Sequence, residues 1–160
     1  MAVKFSEEAL KEYEEITTHY PDRKATLLPA LWIAQREFGY ISKEVMEYVA
    51  ELVGVPFVRV YEVVEFYTMY HKKKPGRYHL QLCQTLSCYL AGAEEIRKYI
   101  EEKLNLKPGE TSEDGLFSFQ LMECLGSCHT APVVQINDDY YENLTVEKFD
   151  AIIQDLKKHN

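Results

Sequence analysis

No apolar run in these 160 residues approaches the roughly 18 that a membrane span requires, because Glu, Lys, Asp or Arg interrupts every candidate stretch. Positive charge is scarce as well. Lys and Arg number 18 against 26 Asp and Glu, and the net charge of -8 argues against nucleic-acid binding, which depends on basic side chains neutralising phosphates. The one basic cluster, Lys72-Lys73-Lys74, stands directly before Pro75-Gly76 and reads as a solvated linker, or else as a docking patch. There is no G-x-G-x-x-G after an expected strand and no P-loop, so no NAD site and no catalytic acid or base is expected in the chain itself. The first eight residues, Met1 to Glu8, lack the apolar core of a secretory signal and the Arg-rich, acid-poor character of a transit peptide. Repeats and low-complexity segments are also missing. What remains, 46% apolar and 28% charged residues, is the composition of a soluble globular chain that folds.

The apolar pattern divides this chain near Lys74. Residues 1–73 hold four helical segments. Ser6 caps the first, which runs to about Thr18 with Leu10, Tyr13 and Ile16 or Thr17 inward. The second carries Leu27, Leu31, Ala34 and Phe38 on one stripe and stops at Gly39; Pro29 makes it start near Leu28 or kink there. Ser42 caps a third, with Val45, Val49, Leu52 and Val53 inward, and Pro56 stands in the first turn of a fourth carrying Val60, Val63, Val64 and Tyr67. Residues 74–160 change period. A strand is expected at Arg77 to Cys83, a helix from Ala91 to about Leu104, strands at Leu116–Leu121 and Pro132–Ile136, a turn at Asn137-Asp138-Asp139, and a last helix capped by Thr145. The order β-α-β-β-α makes the second half an α+β unit, one sheet with helices packed on it.

Every cysteine belongs to one of two close pairs, Cys83-x4-Cys88 and Cys124-x3-Cys128, and none is left over. Each pair follows an expected strand, so both can lie at one end of the sheet and present four sulfurs to one point, as a tetrathiolate metal site needs. Disulfides are the plain alternative, but a chain of this length with an apolar core and no signal peptide needs no staples. Dithiol redox chemistry favours C-x-x-C, a spacing neither pair has. Structural zinc is the stronger rival, although its sites also favour C-x-x-C knuckles. An iron–sulfur cluster remains the leading reading. The spacing matches neither the bacterial nor the plant-type ferredoxin run, but four thiolates can hold one [2Fe–2S] rhomb.

Such a cluster is an anion, and its surroundings should offset the charge. Thr85, Leu86 and Ser87 are expected to form a short loop with N–H groups toward sulfur, and Cys88 to stand just before a helix N-terminus. Gly126 either lets backbone approach the cluster or serves as an ordinary turn glycine. His79 and His129 are expected at the surface or behind the sulfurs, since four cysteines already complete the shell. Phe66, Tyr67, Met69 and Tyr70 read as core, or else as a partner surface.

The segments "CQTLSC" at 83–88, "CLGSCHTAPVVQINDDYYENLT" at 124–145, "VPFVRVYEVVEFYTMY" at 55–70 and "LPALWIAQREFGYIS" at 28–42 together resemble the 24-kDa subunit family of proton-pumping NADH:quinone oxidoreductase, respiratory complex I, whose members are thioredoxin-like [2Fe–2S] ferredoxins. The resemblance implies an N-terminal helical bundle, a thioredoxin-like domain, and one [2Fe–2S] cluster on Cys83, Cys88, Cys124 and Cys128. It further implies a flavoprotein partner carrying FMN and NADH, other peripheral-arm subunits, and a place on the cytoplasmic side of a bacterial inner membrane, or on the matrix side in a mitochondrion. The same family serves as a diaphorase component of NAD-linked hydrogenases and formate dehydrogenases.

Overall fold

The computed structural model describes residues 3–159, and the chain divides into two compact units, Met1–Lys74 and Pro75–Asn160. In the first, α1 spans Glu7–Thr17, α2 Leu27–Phe38, α3 Lys43–Val53 and α4 Phe57–Phe66. Serine hydroxyls start two of them: Ser6 accepts from the Ala9 N–H at 3.2 Å and Ser42 from the Val45 N–H at 3.3 Å. Pro29 falls in the first turn of α2, where an N–H would have no intrahelical acceptor, so the helix begins at Leu27. Pro56 stands at the cap of α4, one position before the first turn. Tyr13, Leu31, Ile41, Val49, Val53 and Val60 are fully or almost fully enclosed and make the centre of this core.

Two details differ from the periodic reading. The buried stripe of α1 runs through Ala9 and Tyr13, and Leu10, about 100° round the axis from Ala9, is 37% exposed. The aromatic tail after α4 also splits. Tyr70 is buried and donates its hydroxyl to the Leu28 carbonyl at 3.0 Å, while Gln35 of α2 holds the Met69 carbonyl and the His71 N–H. Phe66 is 78% exposed.

The second unit is a four-stranded sheet with helices. Its strands are β1 Tyr78–Cys83, β2 Phe117–Met122, β3 Val134–Ile136 and β4 Asp139–Tyr141, in the spatial order β2-β1-β3-β4. β1 and β2 are parallel, with Leu80 opposite Phe119 and Cys83 opposite Met122; β3 is antiparallel to β1, with Leu82 opposite Val134, and β4 closes a hairpin on β3. The helices are α5 Leu86–Leu90, α6 Ala93–Lys103 and α7 Val146–Lys158. α6 contacts both β1 and α7, burying Ile96, Ile100, Phe149 and Ile153 with Leu80, Phe119 and Val134. Thr145 caps α7, accepting from the Lys148 N–H at 3.3 Å. Several expectations change here. β4 is an additional strand, and α5 is an additional short helix, separate from α6. The β1 strand does not alternate: His79, Leu80, Leu82 and Cys83 are all buried.

Gly76 belongs to this unit and not to a linker. A Cβ placed on it would lie 2.4 Å from the Phe117 carbonyl carbon and 2.6 Å from the Ser118 nitrogen, which are backbone atoms of β2 with no room to turn aside. Gly76→Ala is therefore expected to lower unfolding stability by about 1–3 kcal/mol, read as a fall in the urea midpoint. An unchanged midpoint would mean that β2 moves away freely.

Candidate metal centre

The strand directions bring the cysteines together. β1 and β2 run the same way, so Cys83, the last residue of β1, and Cys124, two residues beyond β2, leave the sheet at the same end. β3 runs back from that end, and the 3₁₀ turn Cys128–Thr130 precedes it through Pro132 and Val133. Cys88 returns to the same place on α5, as its third residue. This corrects the expectation that Cys88 precedes a helix N-terminus: Thr85, in extended conformation, starts α5 ahead of it, and α6 begins only after Gly92.

The thiols stand in two pairs. Cys83 and Cys88 are buried and within hydrogen-bonding reach of one another; Cys124 and Cys128 are exposed, with sulfurs 4.0 Å apart. Cys128 in turn acts electrostatically on Cys88, which links the pairs. All four are free thiols. Among the described residues no three His, Cys, Asp or Glu groups meet the arrangement of a single metal ion.

Polar groups converge on these sulfurs. Burial works against a thiolate at Cys83, but the Thr85 hydroxyl, the N–H groups of Thr85 and Leu125, and the Cys88 thiol outweigh it and carry Cys83 below the ordinary thiol range. Cys88 is pushed up to about 11, first by burial and then by its neighbour Cys83, with the Val133 N–H pulling the other way. One proton thus leaves the buried pair before the other. The Cys83 sulfur lies 3.3 Å from the Thr85 hydroxyl, and as a thiol it reaches the Glu123 carbonyl at 3.2 Å. The Gly126 N–H points at the Cys124 sulfur at 3.4 Å. Gly126 has φ +81°, and a Cβ there would meet nothing within 4 Å, so the turn conformation, not crowding, explains the glycine.

The two histidines part company. His129 is exposed beside Cys128, whereas His79 is buried at the far end of β1, its Nδ1 2.8 Å from the Ser118 hydroxyl opposite it. Four residues at about 3.3 Å each put it about 13 Å along the strand from Cys83, so it is neither a surface residue nor a neighbour of the sulfurs. The Lys72 amine pairs with Glu65 at 2.7 Å within the first unit. Glu142 is a residue that the sequence pattern does not single out. Its carboxylate accepts from the Ser127 hydroxyl and, at 2.6 Å, from the Thr130 hydroxyl, and these donors hold it below the ordinary carboxylate range. The available signal is the short run Asp139-Tyr140-Tyr141-Glu142 directly after an Asn-Asp turn, which is the start of a hairpin's return strand.

Four converging thiols with N–H donors fit the donor set that a [2Fe–2S] cluster takes. Relatives of similar length are named as parts of a redox enzyme. A Rhizobium meliloti protein named as a component of NADH-quinone oxidoreductase is 44% identical over 147 residues, 92% of this chain and 88% of its own. Its Rickettsia conorii counterpart, named for the same enzyme, is 46% identical over 156 residues, 96% and 93% of the two chains. Subunit 2 of the Thermus thermophilus enzyme is 48% identical over 147 residues, 90% and 81%. Among solved structures, a chain of an NAD+-reducing [NiFe]-hydrogenase superposes with a TM-score of 0.74 at 19% identity, over 84% of this chain and 22% of that one, which shows a shared fold. The family model described as thioredoxin-like [2Fe-2S] ferredoxin matches residues 13–157, from inside α1 to the last turn of α7 and across all four cysteines. With its α+β sheet, its cysteine spacing and that match over most of its length, the chain belongs to the thioredoxin-like [2Fe-2S] ferredoxin family.

Proposed function

We propose that the chain is a one-electron carrier, holding a single [2Fe–2S] cluster on Cys83, Cys88, Cys124 and Cys128, in the NADH-oxidising module of NADH:quinone oxidoreductase. The observation that carries this reading is the pairwise convergence of the only four thiols at one end of the sheet. Each iron would take one pair, Cys83 with Cys88 and Cys124 with Cys128. When bound, the cluster supplies one-electron exchange, and we assign the FMN and NADH that feed it to a neighbouring flavoprotein subunit.

The chain's own part is ligation and electrostatics. N–H groups of Thr85, Leu125, Gly126 and Val133 face three of the sulfurs and favour their negative charge. Burial of Cys83 and Cys88 shields one side from water, and the exposed Cys124 and Cys128 leave the other open toward a partner. Beside them α5 exposes Leu86 at 73%, Tyr89 at 59% and Leu90 at 75%, an apolar surface suited to burial against a second protein. Among the described residues no helix is long and apolar enough to cross a membrane, and we place the chain with the other peripheral-arm subunits, on the cytoplasmic side in a bacterium or the matrix side in a mitochondrion. A diaphorase role in an NAD-linked hydrogenase or formate dehydrogenase is the second reading, supported by the hydrogenase-like fold; the high coverage of both chains by the quinone-reductase relatives favours the first.

Analysis of iron, zinc and acid-labile sulfide with EPR on anaerobically purified protein tests this assignment. Two irons, two sulfides and a signal on one-electron reduction are expected. Zinc without sulfide would instead make the chain a zinc-stabilised interaction module. Because four thiolates disfavour an added electron, the midpoint potential is expected below the range of about -150 to +300 mV set by histidine-ligated Rieske centres. A value inside that range, in a redox titration followed by EPR, would contradict an all-cysteine shell.

A further inference from the structure

The two cysteine pairs are held by different means. Cys83 ends a central strand and Cys88 lies on a helix, so backbone structure fixes both. The other pair has less: between Met122 and the 3₁₀ turn at Cys128 the chain forms neither helix nor strand, and both thiols are exposed. Cys83 and Gln84 hold its first residue, Glu123, and the rest of its support comes from the end of the β3–β4 hairpin. Tyr141 is opposite Val134, so β4 finishes at the cysteine end of the sheet, and the residues around its finish each take hold of the loop. The Tyr140 hydroxyl donates to the Leu125 carbonyl at 3.1 Å, and the Asn143 N–H donates to the Thr130 carbonyl at 2.7 Å. Between them, one oxygen of the Glu142 carboxylate accepts from the hydroxyls of Ser127 and Thr130, the residues immediately before and two after Cys128.

We infer that Glu142 is a positioning residue for the cluster: by gathering the Ser127 and Thr130 hydroxyls onto one carboxylate oxygen it fixes the Cys124–Cys128 loop in the shape that presents both sulfurs. The inference rests on the cluster reading given above. Ser127 is buried and Glu142 exposed, so the carboxylate meets the Ser127 hydroxyl from the solvent side. Two hydrogen bonds on one acceptor oxygen constrain the backbone of the residues between them. An exposed glutamate is otherwise free to change without effect on folding, which makes the role separable from stability.

The test uses the full chain with its cluster, comparing wild type with Glu142→Ala and Glu142→Gln. The readouts are the rate at which a chelator removes iron, the EPR line shape, and thermal unfolding by circular dichroism. Glu142→Ala is expected to release iron about tenfold faster, or about 1.4 kcal/mol at 25 °C, with broadened EPR lines. Glu142→Gln keeps a carbonyl oxygen that accepts from both hydroxyls, and it is expected to stay close to the wild-type rate. All three should melt alike. Release from Glu142→Ala at the wild-type rate overturns the inference, and so does Glu142→Gln losing iron as fast as Glu142→Ala, which would assign the effect to charge. Melting of Glu142→Ala early enough to account for the release would likewise reduce the residue to a structural role. A wild-type chain without iron and sulfide sinks the cluster reading first, and this inference with it, so the two failures are distinguishable.

Discussion

Cys88→Ala is expected to yield a folded chain with no stoichiometric iron or sulfide and no reduced-state EPR signal. The thiol is 1% exposed, in direct reach of Cys83 and under the influence of Cys128, so it stands where the two pairs meet. The sequence contains four cysteines and no fifth to take its place. His129 adjoins Cys128, but it lies on the opposite pair and is exposed, and His79 is about 13 Å along β1 from Cys83. Folding should survive, because Cys88 is one small member of a core to which Leu80, Phe119, Ile96, Val134 and Phe149 contribute much larger side chains. The same loss is expected for Cys83→Ala, Cys124→Ala and Cys128→Ala, since each iron of a rhomb needs two thiolates. Normal iron, sulfide and EPR in any one of these variants would remove that cysteine from the ligand set.

Much of this site is legible in the sequence because parallel and antiparallel strands leave a sheet at definite ends. With strands placed before Cys83 and before Cys124, the meeting of the two pairs follows from chain direction. The helix starts at Ser6, Ser42 and Thr145 are equally plain, since a hydroxyl before an amphipathic run has one obvious use. The features that sequence hides depend on tertiary partners. β4 has only three residues, Asp139–Tyr141, too few for alternation to register, and without β4 there is no reason to notice Glu142. α5 is five residues long and merges in sequence with α6, so the pattern sets Cys88 before a helix when it lies within one. His79 reads as a surface residue or one behind the sulfurs because nothing local shows that Ser118, 39 positions away, provides its partner. Gly76 reads as a linker because its contact, the backbone of β2, is equally remote.

A fragment of residues 75–160 is expected to assemble the cluster with a wild-type EPR signal, yet to bind the flavoprotein subunit far more weakly than the full chain. All four cysteines, the N–H groups that face their sulfurs and the Glu142 clamp lie within this segment, and its core is built from its own strands and helices. The cut has to fall before Pro75. Gly76 is packed against Phe117 and Ser118, and the N–H groups of Arg77 and Tyr78 bond to the carbonyls of Gly115 and Leu116, so removing this stretch would unzip the edge of β1. Lys72, Lys73 and Lys74 are exposed and dispensable to that core. The helical unit contributes none of the four sulfurs, but it does expose Trp32 at 48%, Val58 at 58%, Tyr61 at 47% and Phe66 at 78%. Large apolar side chains left in water on a stably packed bundle are the kind of anchors on which protein interfaces depend. If two aromatic anchors worth about 1–2 kcal/mol each are lost with the bundle, affinity falls by about a hundredfold. Co-purification with the flavoprotein, with an EPR count of cluster in each preparation, separates the two activities. Equal affinity of fragment and full chain would reassign the helices to stability or to another partner, and a fragment without cluster would show that the bundle is needed to assemble it.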